Sequence, residues 1–289
     1  MNSTRNSIFS RSLCLLSFDV EDWFQVENLK SAIMRESWDS QESRVVANVR
    51  AILSILHEHG SSATFFTLGW IAERFPNLIH EIHEQGHEVA CHGYGHQLVS
   101  KLTQSEFAED LKKAKSILEN ITGKGVIGYR APSFQIESWG LKILEEQGFK
   151  YDSSFFQTVM HDRYTKIESS GQSTPVFYLT DHFLEVQLSY LPVLGKPFPW
   201  SGGAYFRLLP YFLYKRGIKK ILRDKSVFVF YLHPWEIDPG QPKIKNIKKS
   251  YQLRHYSGLS RAKSKLEKLV KDFKFSSINS GLKEMGLLA

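Results

Sequence analysis

Hydrophobic positions along this 289-residue chain fall into short continuous runs separated by stretches of helical periodicity, and the two kinds alternate regularly through the first half. Leu13 to Phe18 is a short apolar run, which predicts a buried strand, and it breaks at once into Asp19-Val20-Glu21-Asp22-Trp23-Phe24. Val46, Val49, Ile52, Leu53 and Leu56 then recur at helical spacing, with Gly60 as the stop. Ala63–Leu68 predicts a second strand, Ile71–Gln85 a second helix ended by Gly86, and His87–Ala90 a third strand. Gln104–Ile121 predicts a long amphipathic helix, capped by Thr103 or Ser105 and closed by Gly123. Val126–Tyr129, then Trp139–Gln147, then Phe149–Asp152 add a strand, a helix and a strand.

Strand and helix in this rhythm predict an α/β fold with a parallel sheet and helical crossovers, in which functional side chains gather beyond the C-terminal ends of the strands. After Thr158 the pattern loosens into short β-prone pieces, Val176–Leu179 and Leu184–Leu191, interrupted by Pro192, Pro197 and Pro199. Tyr205–Tyr214 reads as helical. Val227–Leu232 is the most strand-like run of all, Lys263–Phe273 has helical periodicity, and Phe275–Ile278 reads as a last short strand. The expectation is one domain over residues 1–289, with an irregular insertion at about 158–203 and a basic C-terminal extension at about 237–289.

The strand ends carry the candidate chemistry. Asp19, Glu21 and Asp22 follow the first strand, His92 and His96 the third, Arg130 the fourth, Asp152 the fifth and His233 the run at Val227–Leu232. Two histidines four apart can converge on one cation if the segment coils into a helical turn, with Gly93 and Gly95 allowing a tight bend. Composition adds little to this, because a 42% hydrophobic, 23% charged chain is neither disordered nor fibrous. The formal charge of +7 and pI near 9.2 point to anionic partners, and much of the excess lies in Lys243–Lys249 and Arg261–Lys274. Cys14 and Cys91 form no spaced metal cluster and suit a reducing compartment. Leu13–Leu16 is too short for a signal peptide or a membrane span, so the expected location is cytoplasmic, at or near the inner face of the membrane.

Taken in order, Ser17-Phe18-Asp19-Val20-Glu21-Asp22, His92-x-x-x-His96, Arg130-Ala131-Pro132, Tyr151-Asp152-Ser153-Ser154 and Tyr231-Leu232-His233 resemble the motifs of the polysaccharide deacetylases (NodB homology, carbohydrate esterase family 4). The Asp-Val-Glu-Asp-Trp opening and the His-Pro-Trp-Glu-Ile-Asp-Pro stretch are most similar to exopolysaccharide-cluster deacetylases of the peptidoglycan deacetylase and allantoinase-like branch. The resemblance implies a distorted (β/α) barrel of the NodB type. It implies a divalent metal, usually zinc, held by His92, His96 and one carboxylate. Asp19 would be the general base, His233 the general acid, Arg130 the partner that orients Asp19, and Asp152 the partner that orients His233.

The chain departs from the usual pattern, in which two acids are adjacent. Strand alternation favours Glu21 as the carboxylate ligand, since it shares a side with Asp19, whereas Asp22 offers the shorter side chain of the usual ligand; both stay open at this point. Gly93, Gly95 and Ser133 also depart from the family pattern and would alter pocket walls. Trp23, Phe24, Trp200, Tyr205 and Trp235 are candidates for stacking on sugar faces. The implied activity is metal-dependent hydrolysis of the acetamide of an N-acetylated amino sugar in a glycan or glycan precursor. The implied partners are that substrate and a peripheral membrane contact, with no nucleic acid. Two alternatives are hydrolysis of a small cyclic amide or imide, and glycan binding without turnover.

Overall fold

A computed structural model describes residues 12–156 and 174–289. Within them strand β1 (Leu13–Val20) is buried at every position, because it has a parallel neighbour on each side: β10 (Val227–Leu232) and β2 (Thr64–Thr67). From β2 the sheet continues through β3 (Glu88–Cys91), β4 (Gly128–Tyr129), β5 (Tyr151–Asp152), β7 (Leu184–Val186) and β6 (Val176–Tyr178), and every pairing is parallel except β6 with β7. Strands β8 (Tyr190–Val193) and β9 (Lys196–Pro199) form a separate antiparallel hairpin. The eight-stranded sheet curls into an open, distorted barrel, the NodB-type architecture expected from the motifs.

The helices are α1 (Val45–Glu58), α2 (Gly69–Arg74), α3 (Pro76–Glu84), α4 (Gln104–Thr122), α5 (Ser138–Glu146), α6 (Gly203–Leu208), α7 (Tyr211–Lys225), α8 (Lys249–Tyr256), α9 (Leu259–Asp272) and α10 (Ile278–Glu284). Helix α4 has the predicted ends. The Thr103 hydroxyl accepts from Glu106 N and Glu106 accepts from Thr103 N, while Gly123 closes the helix at φ 65°. Two expected helices are broken at proline. The helix expected over Ile71–Gln85 splits at Phe75–Pro76, and the one over Tyr205–Tyr214 splits at Leu209–Pro210, because the prolyl ring excludes the preceding residue from helical geometry. The strand expected at Phe275–Ile278 is only a single bridge, Ser276 with Leu15; Ser277 instead caps α10. The stretch expected as irregular, about 158–203, lies outside the described residues up to 173 and beyond that supplies β6 to β9. Residues 237–289, expected as a basic extension, carry α8, α9 and α10, and α9 buries Leu259, Ala262, Leu266, Leu269 and Val270.

Strand alternation divides the core in two. Cys14, Leu16, Phe18 and Val20 of β1 face the helices, together with Phe65, Cys91, Phe228, Phe230 and Leu232. Leu13, Leu15, Phe66, Ala90, Val227 and Val229 face the barrel interior. On β1 that inner row runs Leu13, Leu15, Ser17, Asp19, Glu21, so it is apolar below and polar above. The bottom is sealed by α10, whose Gly281 sits where a Cβ would fall 2.3 Å from Leu15 Cδ2. Half-buried Glu88 accepts from Thr64 Oγ1 (2.5 Å), Tyr151 Oη (2.8 Å) and the backbone N of Asn279 in the first turn of α10 (2.9 Å).

Candidate active site

The upper ends of β1, β3 and β10 deliver Asp19, Glu21, His92 and His233 to one cavity of about 110 Å³, and β4 sets Arg130 behind Asp19. Val20 is the last residue of β1, and a short bond from Glu21 N to Asp19 O (3.0 Å) turns the chain so that Glu21 stays on the inner side. Asp22 points the other way. It caps the helical turn at Trp23–Gln25, and its Oδ2 accepts from Ser43 Oγ (2.6 Å), Arg44 N (2.9 Å) and Val45 N (3.2 Å) at the start of α1. Asp22 is thus a structural cap, and the expectation that it could be the carboxylate ligand is corrected by these bonds.

His92 follows β3 directly. Its Nδ1 lies 2.8 Å from Arg130 O, which leaves Nε2 for the cavity. His96 does not reach the same place through a helical turn, as expected, but through a loop in which Gly93 (φ 73°) and His96 itself (φ 50°) take left-handed backbone. Gly95 has a packing reason rather than a conformational one: a Cβ there would fall 2.1 Å from the Arg35 guanidinium.

Glu21, His92 and His96 are buried and each offers a ligand atom within 4.8 Å of the others. Glu21 Oε1 accepts from Trp235 Nε1 at 3.1 Å. Its Oε2 is buried with no hydrogen bond assigned among the described residues, and His96 Nε2 stands 2.8 Å away. A buried carboxylate oxygen beside two imidazole nitrogens could hold a divalent cation. Electrostatics agree. Burial pushes the His92 ring down to about 4, so it is the neutral imidazole that a metal requires. Burial alone would push Glu21 up, but His96, His233 and His92 outweigh it and hold the carboxyl at about 2.

Asp19 sits beside this set. Its Oδ1 accepts from Arg130 Nη1 at 2.6 Å, and Arg130 is fully buried, bonded also to Ser17 Oγ, Ser153 Oγ and Ser153 O, with its guanidinium 4.1 Å from the centre of the Phe66 ring. The expected Asp19–Arg130 pair is therefore in place geometrically. Asp19 Oδ2 is left facing His233 Nε2 at 3.8 Å, and His233 Nε2 is 3.5 Å from Glu21 Oε1.

The expected partner of His233 is not Asp152. Tyr151, Leu184 and Val186 belong to the barrel interior, so alternation sends Asp152 and its register partner Glu185 to the opposite face. Asp152 there accepts from Ser154 Oγ (2.7 Å), whose oxygen in turn accepts from Ala131 N (2.8 Å). Burial raises both Asp152 and Glu185, Glu185 well above the carboxylate range, as two adjacent buried acids require. His233 Nδ1 is instead 2.8 Å from Glu236 Oε1, and Glu236 Oε2 accepts from Arg207 Nε at 2.6 Å. Arg207 is itself buried, donating to the carbonyls of Arg254, His255 and Ser257. Burial works against a charged His233, yet Glu21, Glu236 and Asp19 together raise it to about 9. Glu236, despite burial, is drawn down to about 2 by Arg207 and His233. Sequence reading missed both residues. Glu236 has a signal, its place three residues after His233 in a turn; Arg207 has none.

The aromatic expectations divide similarly. Trp23 and Phe24 lie in the core with Trp38 and Trp70 rather than on a sugar-facing wall. Trp235 is sandwiched between His233 and His255, and Trp200 is stacked on Tyr214. Trp235 lines the cavity together with Phe134 and Tyr231, and Ser133 and Phe134 are both in left-handed backbone (φ 55° and 59°).

Comparison with known proteins gives this geometry its context. Residues 37–151 match the polysaccharide deacetylase family, and residues 153–283 match a domain of unknown function, DUF3473. The first match contains His92, His96 and Arg130; Asp19 and Glu21 precede it, and His233, Glu236 and Arg207 fall in the second. A peptidoglycan deacetylase of Helicobacter pylori is 32% identical over 114 residues, 39% of this chain and 38% of that protein. A peptidoglycan-N-acetylglucosamine deacetylase of Bacillus cereus is 36% identical over 98 residues, 34% of this chain and 36% of that protein. The alignments thus span little more than a third of these relatives' length. The fold is shared with a candidate polysaccharide deacetylase of known structure from Mycobacterium smegmatis, at a TM-score of 0.62 and 20% identity over 96% of this chain and 92% of that one. Residues 37–151 thus match the polysaccharide deacetylase family, and the segment lies within a barrel of the NodB-type fold.

Proposed function

We propose that this protein hydrolyses the acetamide of an N-acetylated amino sugar, releasing acetate and a free amine on a glycan. The observation that carries the reading is the convergence, in one cavity, of a three-donor cation site (Glu21, His92, His96), an arginine-anchored carboxylate (Asp19) and a glutamate-anchored imidazole (His233). Glu21, His92 and His96 would hold a divalent cation, and two nitrogens plus one oxygen with an open side suit zinc. Such an ion supplies polarisation of the acetamide carbonyl and acidification of a water molecule.

The chain's own residues account for the proton movements. Asp19 Oδ2, free of Arg130, takes the proton of the attacking water as its oxygen bonds to the acetyl carbon. His233, held cationic by the surrounding carboxylates, delivers the Nε2 proton to the sugar nitrogen as the C–N bond breaks. Glu236 accepts at Nδ1 and fixes the ring so that Nε2 faces the reacting atoms. Phe134 and Tyr231 form apolar and aromatic wall for the acetyl methyl. At about 110 Å³ the cavity is small beside the roughly 300–1,000 Å³ of pockets that engulf a whole ligand, which fits a reaction where only the acetamide enters and the sugar stays outside.

The relatives named above are peptidoglycan deacetylases, and a further one is a chitooligosaccharide deacetylase of Azorhizobium caulinodans, which favours an amino-sugar acetamide over a small cyclic amide. Within that class the Asp19-x-Glu21 spacing and the 233–239 stretch support a substrate of the exopolysaccharide type. The test is acetate release from N-acetylated glycans together with metal content. Wild type should bind one divalent ion per chain and release acetate, His92→Ala should lose both, and Asp19→Asn should keep the metal while losing turnover by roughly a thousandfold or more. A wild type that takes up no divalent metal under any loading would end the proposal.

A further inference from the structure

Helix α7 carries a surface that the reaction does not use. Its buried side is Tyr214, Gly217, Ile218 and Ile221. The other side bears Lys215, Arg216, Lys219, Lys220 and Arg223, and Lys225 follows at the end, against a single acid, Asp224. At 3.6 residues per turn, Phe212, Arg216, Lys219 and Arg223 fall in one row. Arg216 and Lys219 have no carboxylate partner within 4 Å among the described residues, while Lys215 pairs with Asp272, and Asp224 is shared by Lys220 and Arg223. The elbow between α6 and α7 then turns apolar side chains outward: Leu208 is 53% exposed, Phe212 61% and Leu213 40%. The elbow is held in that shape. Lys265 donates to the carbonyls of Phe206, Arg207 and Leu209, and Tyr211 donates to Lys268 O and Asp272.

We infer that this face docks the protein peripherally on an anionic lipid bilayer, with Leu208, Phe212 and Leu213 entering the interface and the α7 cations meeting headgroup phosphates. The combination selects the partner. Exposed apolar side chains at the end of a basic helix face are rewarded together only by a surface that is apolar beneath and anionic above. A polyanionic glycan or nucleic acid would use the cations and leave three apolar side chains in water. A second copy of this chain meeting face to face would set two rows of cations against each other. No helix among the described residues is long and apolar enough to cross a membrane, and the inference is of docking alone. It stands apart from the proposed reaction, since none of these residues lines the active-site cavity.

The full chain would be sedimented with vesicles of phosphatidylcholine and with vesicles in which half of the lipid is phosphatidylglycerol. Binding is expected only to the anionic vesicles, weakening as salt rises. Arg216→Ser with Lys219→Ser should weaken it by about fivefold per cation removed, and Phe212→Ser with Leu213→Ser by roughly tenfold or more. All four positions are on the surface, so thermal unfolding should be unchanged and acetate release from soluble substrate should be kept. Three results would overturn the inference: no sedimentation with anionic vesicles; sedimentation that the Phe212 and Leu213 changes leave untouched, which would make this a polyanion site; or a solution dimer that those changes dissociate in the absence of vesicle binding.

Discussion

Replacing Asp22 by Ala takes the acceptor away from Ser43, Arg44 and Val45 at the start of α1, and the loss is expected to cost about 1–2 kcal/mol in urea unfolding while metal per chain stays at the wild-type value. Glu21→Ala should do the opposite, removing the metal and sparing most of the fold, because Glu21 caps no helix and its hydrogen bond among the described residues is the one from Trp235 Nε1. A further residue sets a pH limit. His87 is buried against Phe65, its Nδ1 accepts from Ala63 N, and burial pushes its pKa from 6.5 down to about 4. The unfolded chain therefore takes up more protons than the folded one between those values, so stability present above pH 6.5 is lost as pH falls toward 4. By pH 5 this amounts to on the order of 2 kcal/mol. Urea midpoints at pH 7 and pH 5 should show the loss, and His87→Gln should shrink it.

At the scale of elements, the bottom of the barrel depends on how closely α10 approaches β1. Gly281→Ala would place a methyl group 2.3 Å from Leu15 Cδ2, and the overpacking is expected to cost about 1–3 kcal/mol in thermal unfolding with acetate release per folded chain unchanged. The strands at this level were legible in the sequence because each is a short apolar run flanked by a periodic helix, and β1, β2, β3 and β10 lie where the runs predict. The breaks at Pro76 and Pro210 were written in the sequence too, but helical periodicity on both sides of each proline masked them. Phe275–Ile278 departs from the expected strand for another reason: Ser277 satisfies a helix N-terminus, and capping prevails over a short apolar run.

Across the whole molecule, Arg207 joins parts that no local pattern connects. It ties α6 to the last carbonyls of α8 and to Glu236, and through Glu236 to His233. Arg207→Lys keeps a charge but not the fork, so kcat is expected to fall roughly tenfold or more with KM and metal content nearly unchanged; an equal loss in metal content would instead mean a collapsed site. This long-range link shows why part of the site was unreadable. Asp19, Glu21, His92, His96 and His233 each end a recognisable strand, whereas the partner of His233 is fixed by which face of β5 Asp152 occupies and by an arginine from a distant helix. The inner row of β1, by contrast, was readable as simple alternation, and it carries a consequence for descent. Leu15, Ser17, Asp19 and Glu21 share a parity, so a one-residue insertion or deletion anywhere in that strand would exchange the chemistry for the core and lose both together. Loops around the cavity can change length without that exchange, whereas β1 keeps its function only with its residue count intact.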